Sequence, residues 1–170
     1  MKHNGSRCEY SDQRDLQLFL AFRRIILSSP DINFSTIARL VVTTPTTRFW
    51  VSEGRAAIVI SAMIKGRNPL APMNATRQLM YREIYRRVTS LLRNEPQLPL
   101  AAAVARVVAS PAPQFYLTPS SARIIYYRVK ARLLLPHLQQ ARHHATLAAA
   151  LRAHHTNHSS TSNHEQQHKH

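Results

Sequence analysis

The feature that most constrains this fold is an internal repeat with a period of 66 residues. Shifting the sequence by that interval aligns residues 14–66 with residues 80–132 without a gap, and seven of the 53 aligned positions are identical. The identities cluster where VVTTPTTRFWVS, residues 41–52, meets VVASPAPQFYLT, residues 107–118. We therefore expect a tandem duplication, with residues 14–135 forming one compact domain.

Apolar periodicity and prolines predict the same helical order in both copies. The first helix ends just before Pro30 or Pro96, because proline disfavours the helical conformation of the residue before it. A shorter helix follows at 34–43 or 100–109, then an extended linker, then a third helix. The fold class is thus mainly α, a helix, helix, extended linker, helix unit of about 66 residues repeated twice. The residues on the apolar face of the first helix in the first copy are Leu18, Phe19, Phe22, Ile25 and Ile26.

Each linker carries an adjacent aromatic pair, Phe49–Trp50 in the first copy and Phe115–Tyr116 in the second. Such residues could stack on bases, as they do in proteins that bind single strands. The matched Pro and Val neighbours favour instead a structural role, with Phe buried and Trp or Tyr at its edge. The linkers close on Ser52 and Thr118, which are suitable N-caps for the third helices.

Two DNA-binding folds are compatible with this order. A third helix presented after a turn is typical of helix-turn-helix proteins, whose recognition helix enters the major groove. Alternatively, residues 48–51 and 114–117 could pair as the antiparallel ribbon of a ribbon-helix-helix protein, although their large apolar residues argue against a ribbon that reads a groove. The helix-turn-helix interpretation would place Arg55 at the groove in the first copy and Ser120, Ser121 and Arg123 in the second.

The sequence suggests five segments. They are a flexible N-terminus (1–13), the first repeat with its linker (14–79), the second repeat (80–135), a C-terminal helix (136–155) and a disordered His-rich tail (156–170). Nine of the ten histidines follow residue 136, and some have the i,i+4 spacing of metal ligands. No Cys or Asp cluster supports a dedicated site, so we predict neither a metal nor a cofactor.

The positive charge is large and uneven. The formal net charge is +15, and residues 54–153 hold fifteen Lys or Arg against two acids. Nineteen of the 23 basic residues are arginine, which suits bidentate contacts to phosphate. Nucleic acid, with DNA favoured over RNA, is therefore the first partner to consider, while an acidic protein remains an alternative.

The two copies differ most on the outer face of their first helix. Arg82, Arg86 and Arg93 fall within about 40° on a helical wheel in the second copy, whereas leucines occupy the aligned positions of the first. The leucines predict an apolar face covered by the other copy, the C-terminal helix or a second subunit. The predicted interface residues are Leu16, Leu20 and Leu27. The predicted nucleic-acid-binding residues are Arg77, Arg82, Arg86, Arg87, Arg93, Arg123, Arg128, Lys130 and Arg132.

Other function classes receive little support. The eight acids are scattered, and the sequence contains no Gly-rich phosphate loop, HExxH or nucleophile-elbow pattern, so we predict no enzyme and no catalytic residue. The single Cys8 excludes a disulfide framework. No apolar run is long enough to span a membrane, so we expect a cytoplasmic protein without a membrane partner.

The linker signature P-x-x-x-F-[WY]-[VL]-[ST] resembles that of uncharacterised small basic bacterial proteins associated with phages or mobile elements. This resemblance implies a phage or mobile-element context and an accessory or regulatory role. It does not assign a biochemical activity. Two hypotheses follow. The first is a non-enzymatic nucleic-acid-binding protein that acts mainly on phosphates. The second is an assembly or adaptor protein that uses its apolar helix face to oligomerise or to bind an acidic partner.

Overall fold

The computed structural model describes residues 10–29 and 31–135, and the regular elements in these ranges are all α-helices. The helices are α1 (Ser11–Ser28), α2 (Phe34–Val42), α3 (Glu53–Ile64), α4 (Ala75–Asn94) and α5 (Leu100–Ala109). A sixth helix, α6, begins at residue 119 and is described as far as residue 135. The prediction of a mainly α fold is confirmed. None of the described helices is long and apolar enough to cross a membrane.

The chain divides into one unit that ends at Val129 and a second that begins at Lys130. In the second unit only residues 130–135 are described, and they are helical with exposed side chains. The C-terminal helix and the His-rich tail predicted at 136–155 and 156–170 lie outside the described residues, as do residues 1–9. Helix α1 begins at Ser11, within the segment 1–13 that the sequence predicts to be flexible.

Side-chain caps define the start of most of these helices. The Ser52 hydroxyl accepts a hydrogen bond from the backbone N–H of Arg55 at 3.3 Å, and the Thr118 hydroxyl accepts one from Ser121 at 3.1 Å. Asn74 caps α4 in the same way. Each cap satisfies one of the N–H groups that a helix start leaves without a partner. Both linker residues thus act as the N-caps that their positions predict.

The first unit contains two hydrophobic clusters, and each combines helices from both repeats of the sequence. Helix α3 packs with α4 and α5, which the sequence supplies as one stretch, and we call this group the contiguous half. The 119–129 part of α6 packs with α1 and α2, and we call this group the split half, since it joins two distant parts of the chain. The contiguous half buries Ala56, Val59, Ile60, Ile84, Val88, Val104 and Val108. The split half buries Leu18, Phe22, Ile37, Val41, Ala122, Ile125 and Tyr126.

The two linkers pair at one point, where Thr46 faces Ala112 in an isolated antiparallel bridge. The N–H of Thr46 donates to the carbonyl of Ala112 at 2.8 Å, and the N–H of Ala112 donates to the carbonyl of Thr46 at 3.0 Å. Residues 48–51 and 114–117 form no strand, so the ribbon-helix-helix alternative is wrong. The linkers form no ribbon because, beyond the bridge, each linker turns toward the C-terminal end of a helix.

Beyond the bridge, each linker crosses to a helix of the other repeat. The N–H of Phe49 donates to the carbonyl of Val108 in α5 at 3.0 Å, and the N–H of Phe115 donates to the carbonyl of Val42 in α2 at 3.1 Å. Both bonds satisfy a carbonyl in the last turn of a helix, where intrahelical partners are missing. The two linkers therefore enter different halves. As a result, the third helix of each repeat packs with the first two helices of the other repeat.

The aromatic pairs anchor these crossings. Phe49 is fully buried in the contiguous half, and Phe115, 3% exposed, is buried in the split half. Trp50 and Tyr116 are half-buried beside them, and the ring of Tyr116 stacks 6.0 Å from that of Phe49. Burial of each Phe is worth about 1.5–3 kcal/mol. The interpretation of the aromatic pairs as structural plugs is confirmed.

Candidate nucleic-acid interface

The nine basic residues predicted to bind nucleic acid lie on two helices that pack in different halves. Five of them are on α4 and four are on α6, of which Lys130 and Arg132 belong to the second unit. The prediction therefore separates into an α4 group and an α6 group. Those on α4 are Arg77, Arg82, Arg86, Arg87 and Arg93. Those on α6 are Arg123, Arg128, Lys130 and Arg132.

The α4 group contains a row of exposed arginines opposite the buried face of the helix. Ile84 and Val88 are fully buried, whereas Arg82, Arg86 and Arg93 are exposed. At a rise of 1.5 Å per residue, the row extends for about 16 Å along the helix. This geometry matches the solvated arginine face that the wheel predicts.

Glu83 is the single acid on α4, and two arginines bind it. Arg86 donates from Nε at 2.9 Å and from Nη2 at 2.7 Å to the two carboxylate oxygens, while Arg87 donates from Nε at 2.7 Å. These bonds, with that from Arg86 contributing most, lower the pKa of Glu83 from 4.5 to about 2. The three side chains together keep a charge of +1, because Glu83 stays ionised between two cations.

Arg87 differs from the rest of the α4 group because it holds a linker. Its Nη1 donates to the carbonyl of Pro111 at 2.7 Å and to the Ser110 hydroxyl at 3.3 Å. Its guanidinium also lies 5.1 Å from the centroid of the Phe49 ring. The position of Arg87 next to the exposed row gives no sign of this, since the linker that it contacts comes from further along the chain.

Two arginines of α6, Arg123 and Arg128, are also engaged within the split half. Arg128 donates to Asp15, which is 4% exposed and accepts two further hydrogen bonds from Arg14 at 2.7 and 2.9 Å. Arg123 lies 5.8 Å from the centroid of the Phe34 ring. Much of the charge of Arg128 is therefore compensated by a buried carboxylate, in contrast to Arg82 and Arg93 of the exposed row on α4, which form no ion pair among the described residues.

A second group of basic residues lies where α3 packs against α4. It consists of Arg55 and Arg77, of which only Arg77 is among the predicted nucleic-acid-binding residues. Arg55 and Arg77 both lie near enough to Tyr81 for their positive charges to act on its hydroxyl. Tyr81 is 4% exposed, and this burial raises its pKa while the two arginines lower it. The helix-turn-helix interpretation places Arg55 at the DNA groove. The proximity of Arg55 to Tyr81 depends instead on the packing of α3 against α4, a helix of the other repeat.

The leucine face of α1 is exposed. Leu16 and Leu20 are each 50% exposed and Leu27 is 76% exposed. Of the three covers expected from the sequence, the other repeat does not provide one among the described residues, because α6 packs on the opposite face of α1, where Tyr126 stacks 5.5 Å from Phe19. The three leucines therefore remain candidates for an interface.

Charge is distributed unequally between the halves. Residues 53–109 of the contiguous half hold nine basic residues and three glutamates, a net +6. Residues 10–42 and 119–129 of the split half hold six arginines and three aspartates, a net +3. Among these described residues, the larger net positive charge therefore lies on the contiguous half.

No group of three His, Cys, Asp or Glu that could hold a metal ion occurs within residues 10–29 and 31–135. Comparison with known proteins adds no functional assignment. No protein-family model matches the sequence, and no curated protein or solved structure is significantly similar to it.

Proposed function

We propose that this protein binds nucleic acid through the exposed arginines of α4 and catalyses no reaction. The observation that carries the proposal is the row formed by Arg82, Arg86 and Arg93, which stands on the outer face of a helix whose single acid is Glu83. A straight row of guanidinium groups suits the regularly spaced phosphates of a duplex. Double-stranded DNA is therefore the first target to test.

The mechanism rests on neutralisation of phosphates. Arginine forms paired hydrogen bonds to phosphate oxygens, and each neutralised phosphate releases a counterion. Binding should weaken with salt by a slope of about −0.9 per contacted phosphate. Little sequence preference is expected, because contacts to the backbone carry no base information.

The test uses a fluorescently labelled DNA duplex and measures anisotropy over a range of salt concentrations. Arg82→Glu with Arg93→Glu should weaken binding on the order of tenfold or more in low salt. Arg23→Glu with Arg24→Glu is the matched control, because both residues are exposed on α1 and the change in net charge is identical. Equal losses in the two double variants would contradict the α4 site, since binding would then follow net charge alone.

We assign the proposed activity to an accessory or regulatory factor of a phage or mobile element, acting in the bacterial cytoplasm. This context rests on the linker signature. It supplies the setting in which a small basic protein would meet DNA, and it adds no residue to the site.

We further propose that residues 14–66 and 80–132 descend from one duplicated unit. The hydrogen bonds Phe49 to Val108 and Phe115 to Val42 support this origin, because they are related by the same shift of 66 residues as the sequence repeat. The bridge between Thr46 and Ala112 pairs two positions that are themselves related by that shift. Such reciprocal bonds are expected when two copies of one unit pair about a twofold axis.

A second candidate function is assembly with another protein, and the exposed leucines of α1 favour it. Three large apolar side chains on one outer face suit a protein interface, with a second copy or an acidic protein as partner. Sedimentation velocity of the wild type and of Leu16→Ser with Leu20→Ser tests this function. An oligomer that the substitutions dissociate, and that ignores DNA, would favour assembly over nucleic-acid binding.

A further inference from the structure

Glu83 stands among the arginines that are proposed to bind DNA, where a negative charge by itself repels phosphate. Its carboxylate nevertheless has a defined geometric relation to one of them. The Arg86 guanidinium donates from Nε at 2.9 Å and from Nη2 at 2.7 Å to the two carboxylate oxygens. These bonds occupy one edge of the planar guanidinium and leave Nη1 on the other edge. The Arg86 side chain is 69% exposed and forms no further hydrogen bond among the described residues, so this second edge is available to an anion.

The carboxylate of Glu83 is itself held from the other side. Arg87 donates from Nε to Oε1 of Glu83 at 2.7 Å, and its Nη1 donates to the carbonyl of Pro111 at 2.7 Å. Pro111 belongs to the linker whose next residue, Ala112, forms the bridge between the two linkers. The Glu83 side chain is 21% exposed, which limits its alternative positions. A continuous series of hydrogen bonds therefore extends from this linker through Arg87 and Glu83 to Arg86.

Arg86 differs in this respect from the arginine one turn before it in the exposed row. Arg82 donates a single hydrogen bond to the neutral side chain of Gln78 at 3.2 Å, whereas the paired bonds to a carboxylate fix the orientation of the Arg86 guanidinium plane. Arginine is among the side chains that lose most rotamer freedom when they are ordered. An arginine that is already ordered before binding therefore loses less entropy when it contacts a phosphate.

The aligned helix of the split half lacks all three of these side chains. Gln17 stands at the position aligned with Glu83, and Leu20 and Ala21 stand where α4 has Arg86 and Arg87. The side-chain oxygen of Gln17 accepts a hydrogen bond from the hydroxyl of a linker residue, Thr47, at 3.3 Å. A neutral side chain is thus sufficient for a linker contact at this position. The carboxylate occurs in the repeat that also supplies an exposed arginine for it to orient.

We propose that Glu83 is a positioning residue for nucleic-acid binding, and that it holds Arg86 so that the Nη1 edge of the guanidinium meets a backbone phosphate of the duplex. This role rests on the proposed function and deepens it. Arg86 contacts the phosphate, while Glu83 acts through Arg86 and is fixed by Arg87. The five N–H groups of arginine allow one edge to bind the carboxylate and the other to bind the phosphate. Charge and positioning act in opposite directions, because removal of the carboxylate reduces repulsion of the phosphate but releases Arg86.

The test compares Glu83→Gln with Glu95→Gln by fluorescence anisotropy of the labelled duplex. Both substitutions raise the net charge by one, and Glu95 also accepts a hydrogen bond from an arginine, Arg106, at 2.6 Å. Arg106 lies outside the exposed row, so Glu95→Gln reports the effect of charge alone and should bind DNA at least as tightly as the wild type. Glu83→Gln should bind about threefold more weakly, because binding must then order a released Arg86.

A double-mutant cycle with Arg86→Ala distinguishes positioning from a structural role. Once Arg86 is absent, Glu83→Gln should no longer weaken binding, because only the charge of the carboxylate remains to act on DNA. Glu83→Asp keeps that charge and shortens the side chain, so it should also bind more weakly than the wild type. Circular dichroism of each variant verifies that binding is measured on folded protein.

Three results would count against this role. Binding by Glu83→Gln as tight as that by Glu95→Gln would overturn the positioning role and leave the proposed function standing. An equal loss in the presence and in the absence of Arg86 would also overturn it, since Glu83 would then act through the fold. Failure of the wild type to bind any duplex would overturn both the positioning role and the proposed function.

Discussion

In the split half, Asp15 is buried between Arg14 and Arg128, whereas the aligned Tyr81 of the contiguous half is buried near Arg55 and Arg77, and neither arginine forms an ion pair among the described residues. The two halves are built from equivalent helices of the two repeats, and their linkers are anchored in the same way. They differ at this one position, where the split half buries a carboxylate between two arginines and the contiguous half buries a tyrosine. This difference teaches that aligned positions of one scaffold can bury either an ion pair or an uncharged side chain.

The outer faces of the first helices repeat the contrast. Leu16, Leu20 and Leu27 line α1, and arginines take the aligned positions on α4. The interiors differ as well, since the split half packs Phe19, Phe22, Phe34 and Tyr126 as stacked or tilted rings. The contiguous half relies mainly on smaller aliphatic side chains.

The largest effect is expected from substitution of Phe49 and Phe115, the buried phenylalanines of the two linkers. These substitutions test whether both halves depend equally on the exchange of third helices between the repeats. Phe49→Ala should destabilise the protein by about 3–5 kcal/mol by leaving a cavity in the contiguous half. Phe115→Ala should cost a similar amount in the split half. Urea unfolding followed by circular dichroism measures both, and a loss below about 1 kcal/mol in either variant would contradict its role as a plug.

The aligned positions 15 and 81 should respond very differently. Asp15→Asn should cost about 2–3 kcal/mol of unfolding free energy, because it leaves Arg14 and Arg128 without their buried partner, although both are partly hydrated. Tyr81→Phe should cost less than about 1 kcal/mol, since only a hydroxyl is lost. Similar losses in the two variants would remove the distinction between the buried ion pair of Asp15 and the uncharged Tyr81 at the aligned position.

Arg86 and Arg87 provide a smaller and well-matched contrast within the contiguous half. Arg87→Ala should cost about 1–2 kcal/mol, because it releases the Pro111 carbonyl and uncovers Phe49. Arg86→Ala should change stability by less than about 0.5 kcal/mol, since its contact to Glu83 is exposed. In the DNA-binding assay the order should reverse, with Arg86→Ala losing more affinity. If Arg87→Ala caused the larger loss in both assays, the residues of α4 that stabilise the fold would not be distinct from those that bind DNA.

The smallest effect concerns pH. The folded pKa of Glu83, about 2, lies below its ordinary value of 4.5, so the carboxylate stabilises the folded protein above pH 4.5. That contribution is lost as the pH falls from about 4.5 to about 2. Glu83→Gln should therefore be less stable than the wild type at neutral pH, and the difference should shrink across that window. Unfolding free energies measured between neutral pH and pH 2 would contradict this if the difference stayed constant.

Much of the fold could be predicted from the sequence because its signals are local. The 3.6-residue periodicity, the prolines and the residues Ser52 and Thr118 define where the helices begin and end. The exchange of third helices could not be predicted, because an apolar face shows that a helix is buried but not which neighbours bury it. The contact between the Arg87 guanidinium and the Phe49 ring joins the two repeats and follows from that exchange, as does the proximity of Arg55 to Tyr81, so both were equally hidden.

We propose that DNA contacts the contiguous half and not the split half. This proposal is tested most directly by following the arginine Nε–Hε signals of ¹⁵N-labelled protein by NMR while a short duplex is added. We predict that the signals of Arg55, Arg77, Arg82 and Arg93 shift, while those of Arg14 and Arg128 stay in place. Equal shifts in both halves, or shifts confined to Arg14 and Arg128, would contradict the account.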